Sequence, residues 1–148
     1  MEENNKEIQM RLVAVDEVRF MMSPDKLGDK PNPDNIQIGF SSHVETDIEK
    51  NILYLIFGIR YVIKEEVIME CVYKFSFDVL DLSQYVSQTN DKSITIKYLM
   101  PHCLNVAVGT MRGILVVKTA GSVLSSLPLP MINVEELYNN LSENQGHR

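Results

Sequence analysis

Seven apolar residues recur at two-residue spacing, Val67, Met69, Cys71, Tyr73, Phe75, Phe77 and Val79, with Glu66, Glu70, Lys74, Ser76 and Asp78 between them. Only an extended strand puts every second side chain on one face, so the run requires a sheet with one buried and one largely wet face. The residues upstream supply its partners. Ile52 to Ile63 is apolar on both faces, which marks a central strand. Ile36, Ile38, Phe40, Val44 and Ile48 alternate with Gln37, Gly39, Glu45 and Asp47, a pattern for a half-buried strand. Ile8, Met10 and Leu12 point one way, the phase slips at Leu12 and Val13, and Val18, Phe20 and Met22 resume it, as across a β-bulge. Turn formers separate these runs: Glu49 to Asn51, Lys64 with Glu65, and the stretch from Ser23 to Asp34 with three prolines.

After a polar stretch from Ser83 to Ser93 the period lengthens. Leu104, Val108, Met111 and Leu115 recur at three- and four-residue spacing between Pro101, suited to a first helical turn, and Gly121, suited to a stop. This predicts a helix over Pro101 to Ala120. Its β-branched residues oppose it by a few tenths of a kcal/mol each (roughly), which burial outweighs. Gly109 and Gly113, four apart, leave a flat strip for close approach by the chain's own sheet or by another subunit. Asn133 followed three residues later by Glu136 signals the N-cap of a second helix through Leu137, Tyr138 and Leu141. Between the helices, Ser122 to Met131 is an apolar loop kept out of helix by Pro128 and Pro130. The sum is an α+β chain: a four-stranded antiparallel sheet followed by two helices packed on it, one domain over 1–148 with flexible tails at 1–6 and 142–148.

Several functions are excluded by what accompanies this pattern. A chain of 148 residues buries a core without disulfides or metals, and 20 acidic against 14 basic residues leave no basic excess for nucleic acid. The acidic start reads as no secretory signal, and the apolar stretches Ile52 to Ile63 and Leu104 to Val117 are short and interrupted by Arg60, Asn105 and Arg112. A cytoplasmic protein without stable membrane insertion is expected, with Cys71 and Cys103 as core thiols. His102 and Cys103 are neighbours, and an enzymatic reading would rest on them alone, but on a helix they point about 100° apart, whereas activating a thiol needs the two within hydrogen-bond reach. His43, His102 and His147 share no ligand spacing, and the Gly109 to Gly113 interval lies inside a helix instead of after a strand, so no metal, phosphate loop, cofactor or catalysis is expected. Eight Met residues are the unusual feature, since Met suits surfaces that adapt to many partners.

Three segments in order give the chain a family likeness. They are the first strand from Ile8 to Phe20 with Asp16 and Glu17, the long hairpin from Ile36 to Phe75, and the helix ending at Ala120 and Gly121 followed by Leu127 to Met131 and Asn133 to Leu137. Together they resemble the SecB export-chaperone family over about residues 6 to 141. The resemblance implies a homotetramer, a dimer of dimers, that binds unfolded or precursor polypeptides without ATP and passes them to the SecA motor for export. A groove lined by Phe40, Tyr54, Val123, Leu124, Leu127, Leu129 and Met131 would hold the client; the alternative is that Val123 to Met131 covers the core of its own subunit. Glu17, Ile68 and Glu70 fall where the family has its motor-docking residues, while Met21 stands where a further acidic residue is expected. The second reading is an adaptor or dedicated chaperone for one partner, such as a toxin–antitoxin component.

Overall fold

The structure is a computed structural model describing residues 7–27, 32–88, 94–96 and 98–146. Four strands, β1 (Met10–Met22), β2 (Gln37–Asp47), β3 (Ile52–Ile63) and β4 (Glu66–Val79), form one antiparallel sheet in the order β1-β4-β3-β2. The two strands with the strongest apolar patterns, β3 and β4, are therefore central, and the more polar β1 and β2 are the edges. The hairpin between β3 and β4 turns on Lys64 and Glu65, whose φ values of 49° and 65° match the turn to the twist of its strands.

Alternation along β3 and β4 sorts the side chains onto two faces. Leu53, Leu55, Phe57, Ile59, Phe75 and Phe77 are fully buried on one of them. Helix α1 (Met100–Lys118) covers this face with Cys103, Leu104, Ala107, Val108, Met111 and Leu115. It ends where Gly121 adopts φ +81°, a conformation glycine takes without strain. Helix α2 (Val134–Gly146) begins as expected, with the Glu136 N–H donating to Asn133 Oδ1 at 3.0 Å. It continues to Gly146, into the segment expected to be a flexible tail; the other expected tail, 1–6, lies outside the described residues.

The structure departs from the sequence reading in three further places. The polar stretch after β4 carries two short paired strands, β5 (Val86–Gln88) and β6 (Ile94–Ile96), too short for a periodicity to register. The expected bulge in β1 is present between Leu12 and Ala14, but a second follows between Glu17 and Arg19. The two slips cancel, so Phe20 and Met22 return to the core face as expected, whereas Val18 falls in the second slip and is 53% exposed. Finally, α1 is long and apolar enough by length and composition to cross a membrane, with mean hydropathy 1.3. Its average is high because both faces are apolar: one packs on the sheet, and the other leaves Val106, Val116 and Val117 at the surface.

Candidate peptide-binding groove

On the helix-covered side, the edge strand β2 presents Ile38, Phe40 and Val44, half-buried and packed against the core. Phe40 stacks on Phe57 of β3 with ring centroids 6.0 Å apart. Ile132 and, from α2, Val134, Tyr138 and Leu141 are likewise half-buried. Branched and aromatic side chains on an edge strand, open to solvent along part of their length, are what a strand-like apolar peptide needs.

The remaining groove residues take different places. Tyr54 pairs with Glu45 and Ser76 on the other face of the sheet, with Lys74 Nζ 4.3 Å from its ring centroid. Period-two alternation puts it opposite Phe40, so the two do not share a groove. Leu124, Leu127 and Leu129 are 1%, 7% and 5% exposed and belong to the core of their own chain instead of lining an empty channel. Val123 is half-buried, and Met131 is 92% exposed beside them. Two residues that sequence reasoning missed hold this loop. Tyr61 of β3 donates its hydroxyl to the Leu127 carbonyl at 3.0 Å, and Arg112 of α1 donates to the Pro130 carbonyl at 3.0 Å. Burial pushes the Tyr61 hydroxyl up to about 12, so it stays a donor. The signal for Arg112 was its position as the one charge within the apolar run of the helix, which reads as an interruption until the loop is seen beside it.

The three residues expected to form a docking surface are dispersed. Ile68 is the extra residue where the β3–β4 register slips, Tyr61 pairing with Met69 but Val62 with Val67, and it turns into the core at 1% exposure. Between the two bulges of β1 the phase is reversed, so Glu17 lies on the helix side, where it accepts from Tyr73 at 2.9 Å and pairs with Lys118 of α1 at 2.8 Å. Lys118 and Tyr73 hold its carboxyl below the usual range. Glu70 alone lies on the open face, clasped by Arg19 and Arg60. Burial raises its carboxyl, but the hydrogen bonds from Arg60 and Arg19 outweigh this and leave it lowered. These residues edge a depression of about 180 Å³ with Ser41 on its rim and Gly58 in its lining, where a Cβ would meet Ser41 Oγ at 2.5 Å. With two arginines to one glutamate this patch is locally basic, not acidic.

Gly109 and Gly113 lie on the exposed side of α1, with nothing within 4 Å of where a Cβ would stand. They do not pack on their own sheet. His102 is exposed while Cys103 is fully buried, its thiol pushed up to about 12 by burial, so the two point apart. Among the described residues no cluster of His, Cys, Asp and Glu is suited to a metal.

No protein-family model and no curated protein matches this chain. Among solved structures it is similar to the Mycobacterium tuberculosis Rv1957 SecB-like chaperone in complex with a ChAD peptide from the Rv1956 HigA1 antitoxin. The TM-score is 0.53 at 11% identity, over 84% of this chain and 90% of that one. It is also similar to a protein of unknown function from Streptococcus agalactiae, with TM-score 0.39 and 9% identity over 85% of this chain and 98% of that one. The fold is thus SecB-like.

Proposed function

We propose that this chain is a SecB-like chaperone that holds unfolded polypeptide segments without ATP. One observation carries the reading. The half-exposed apolar row Ile38, Phe40 and Val44 lies on an edge strand beside α2, on a fold whose neighbour was solved with a peptide bound. Row and edge supply two things a non-selective peptide site uses, apolar side chains and a strand at the margin of the sheet in the order of the described strands.

The exposed strip on α1 supports an oligomer. Val106, Gly109, Gly113, Val116 and Val117 give it a flat apolar surface, and in the proposed tetramer these faces meet between subunits. The proposal places the protein in the cytoplasm, where newly made precursor chains are available for export. It does not extend to docking on the translocation motor, because Glu17, Ile68 and Glu70 do not share a surface. The test is aggregation of a chemically denatured client with and without equimolar protein, in the absence of ATP. Slowed aggregation is the expected outcome, and unchanged light scattering together with no detectable complex overturns the reading.

The antitoxin-derived peptide on the structural neighbour favours one alternative, a chaperone dedicated to a single partner. Recovery from the native cell extract separates them: many precursors accompany a generalist, and one stoichiometric protein accompanies an adaptor.

A further inference from the structure

The loop that closes the core has the alternation of a strand without a strand's bonding. Leu127 and Leu129 point inward, while Pro128, Pro130 and Met131 are exposed. Among the described residues no backbone–backbone hydrogen bond reaches residues 128–132, and the two prolines have no N–H to offer. What holds Leu127 to Ile132 is the Tyr61 hydroxyl on one carbonyl, the Arg112 guanidinium on another, one backbone bond at its start from Leu127 N–H to the Leu124 carbonyl at 3.0 Å, two buried leucine side chains and the half-buried Ile132. Lifting β3 or β4 out of the sheet breaks two whole ladders, but lifting this segment breaks two side-chain hydrogen bonds and the single backbone bond at Leu127. Side-chain donors to an extended backbone, with pockets for alternate side chains, are also the means by which a protein holds a peptide that is not part of it.

We propose that Leu127 to Ile132 is an internal strap seated in the principal client pocket, and that a client displaces it by presenting branched aliphatic residues at positions i and i+2 of an extended stretch. The inference rests on the chaperone reading above and names the ligand for its site. Client side chains beyond the two anchors then continue toward the half-exposed row of Ile38, Phe40 and Val44. Because strap and client compete, the closed strap lowers the apparent affinity for every client by the fraction of molecules in which it is seated. Tyr61 and Arg112 serve whichever segment is bound, so the strap is weakened selectively only through its own leucines.

The test uses the full-length protein, a synthetic peptide copying residues 122–132, and the same peptide with both inward leucines replaced by serine. Leu129→Ala is expected to bind the copy about tenfold tighter than the wild type, while the serine peptide binds neither. On saturating wild type with the copy, the methyl resonances of Leu127 and Leu129 are expected to move to solvent-exposed positions. Unchanged or weaker affinity of Leu129→Ala, or unmoved leucine methyls in saturated wild type, overturns the strap; if the variant does not fold, the wild-type spectra decide alone. Wild type that holds a denatured client with its strap methyls unmoved sinks only this inference. A protein that binds neither client nor peptide sinks the chaperone reading, and the strap falls with it.

Discussion

The β3–β4 hairpin and the closing loop both bury large apolar side chains almost completely, yet they are held in different ways. Leu55, Phe57, Phe75 and Phe77 are fully buried on strands bonded along both edges. Leu127 and Leu129 are 7% and 5% exposed on a segment tied by two side chains and the single backbone bond at Leu127. Burial alone therefore does not tell a permanent core from a removable one; the bonding of the backbone that carries the buried side chain does.

Four changes sharpen or break this contrast. The largest effect is expected for Phe75→Ala, which opens a cavity that laddered strands cannot collapse around and costs about 3 to 5 kcal/mol, read from urea unfolding. Leu129→Ala is expected at the low end of the range for leucine truncation, about 2 kcal/mol, because a segment without ladder bonds can settle into the space. A loss in Leu129→Ala equal to that in Leu55→Ala breaks the contrast and makes the loop ordinary core.

The third change moves to the outer side of α1. Val117 is 75% exposed, so Val117→Asp is expected to alter the stability of the isolated subunit by no more than about 0.5 kcal/mol while splitting any oligomer built on this face. Solution mass reads the outcome, and an unchanged assembly places the subunit contacts elsewhere. The smallest effect is expected at Glu70. Its carboxyl is lowered from 4.5 in the folded chain, so its contribution to stability is present above that value and is lost as the pH falls through the lower folded one. Glu70→Gln flattens this part of the stability profile, by less than about 1 kcal/mol for a surface cluster of this kind. A variant that keeps the wild-type acid dependence shows that Arg19 and Arg60 do not act through Glu70.

Most of the sheet was legible because period two is a local property. Met69 to Val79 need no partner to declare their faces, and Leu12 with Val13 announced the first bulge, whereas the slip at Ile68 pairs Val67 with Val62 on the face opposite the one its spacing predicts. The second bulge was hidden because it restored the phase that the first had broken, leaving Val18 with the neighbours of a core residue. Ile68 was misplaced for a related reason: a bulge in β4 turned it inward, and nothing within the strand itself marks the register slip against β3. For the loop, composition identified the right apolar residues, Leu124, Leu127 and Leu129, but left open whether they line a groove or cover the core of their own subunit. They cover the core, since the sheet and α1 left a space that these side chains of the same chain occupy.

By itself the sequence determined the four long strands, the two helices with their glycine stop and asparagine cap, and hence the α+β order, because turn chemistry and side-chain periodicity act over a few residues. Only the tertiary structure decided which residues share a surface. It put Tyr54 opposite Phe40, scattered Glu17, Ile68 and Glu70, left Gly109 and Gly113 open, and joined Tyr61 and Arg112 to one loop. Those relations depend on register across strands and on contacts between residues such as Tyr61 and Leu127, 66 positions apart, and no local pattern carries that information.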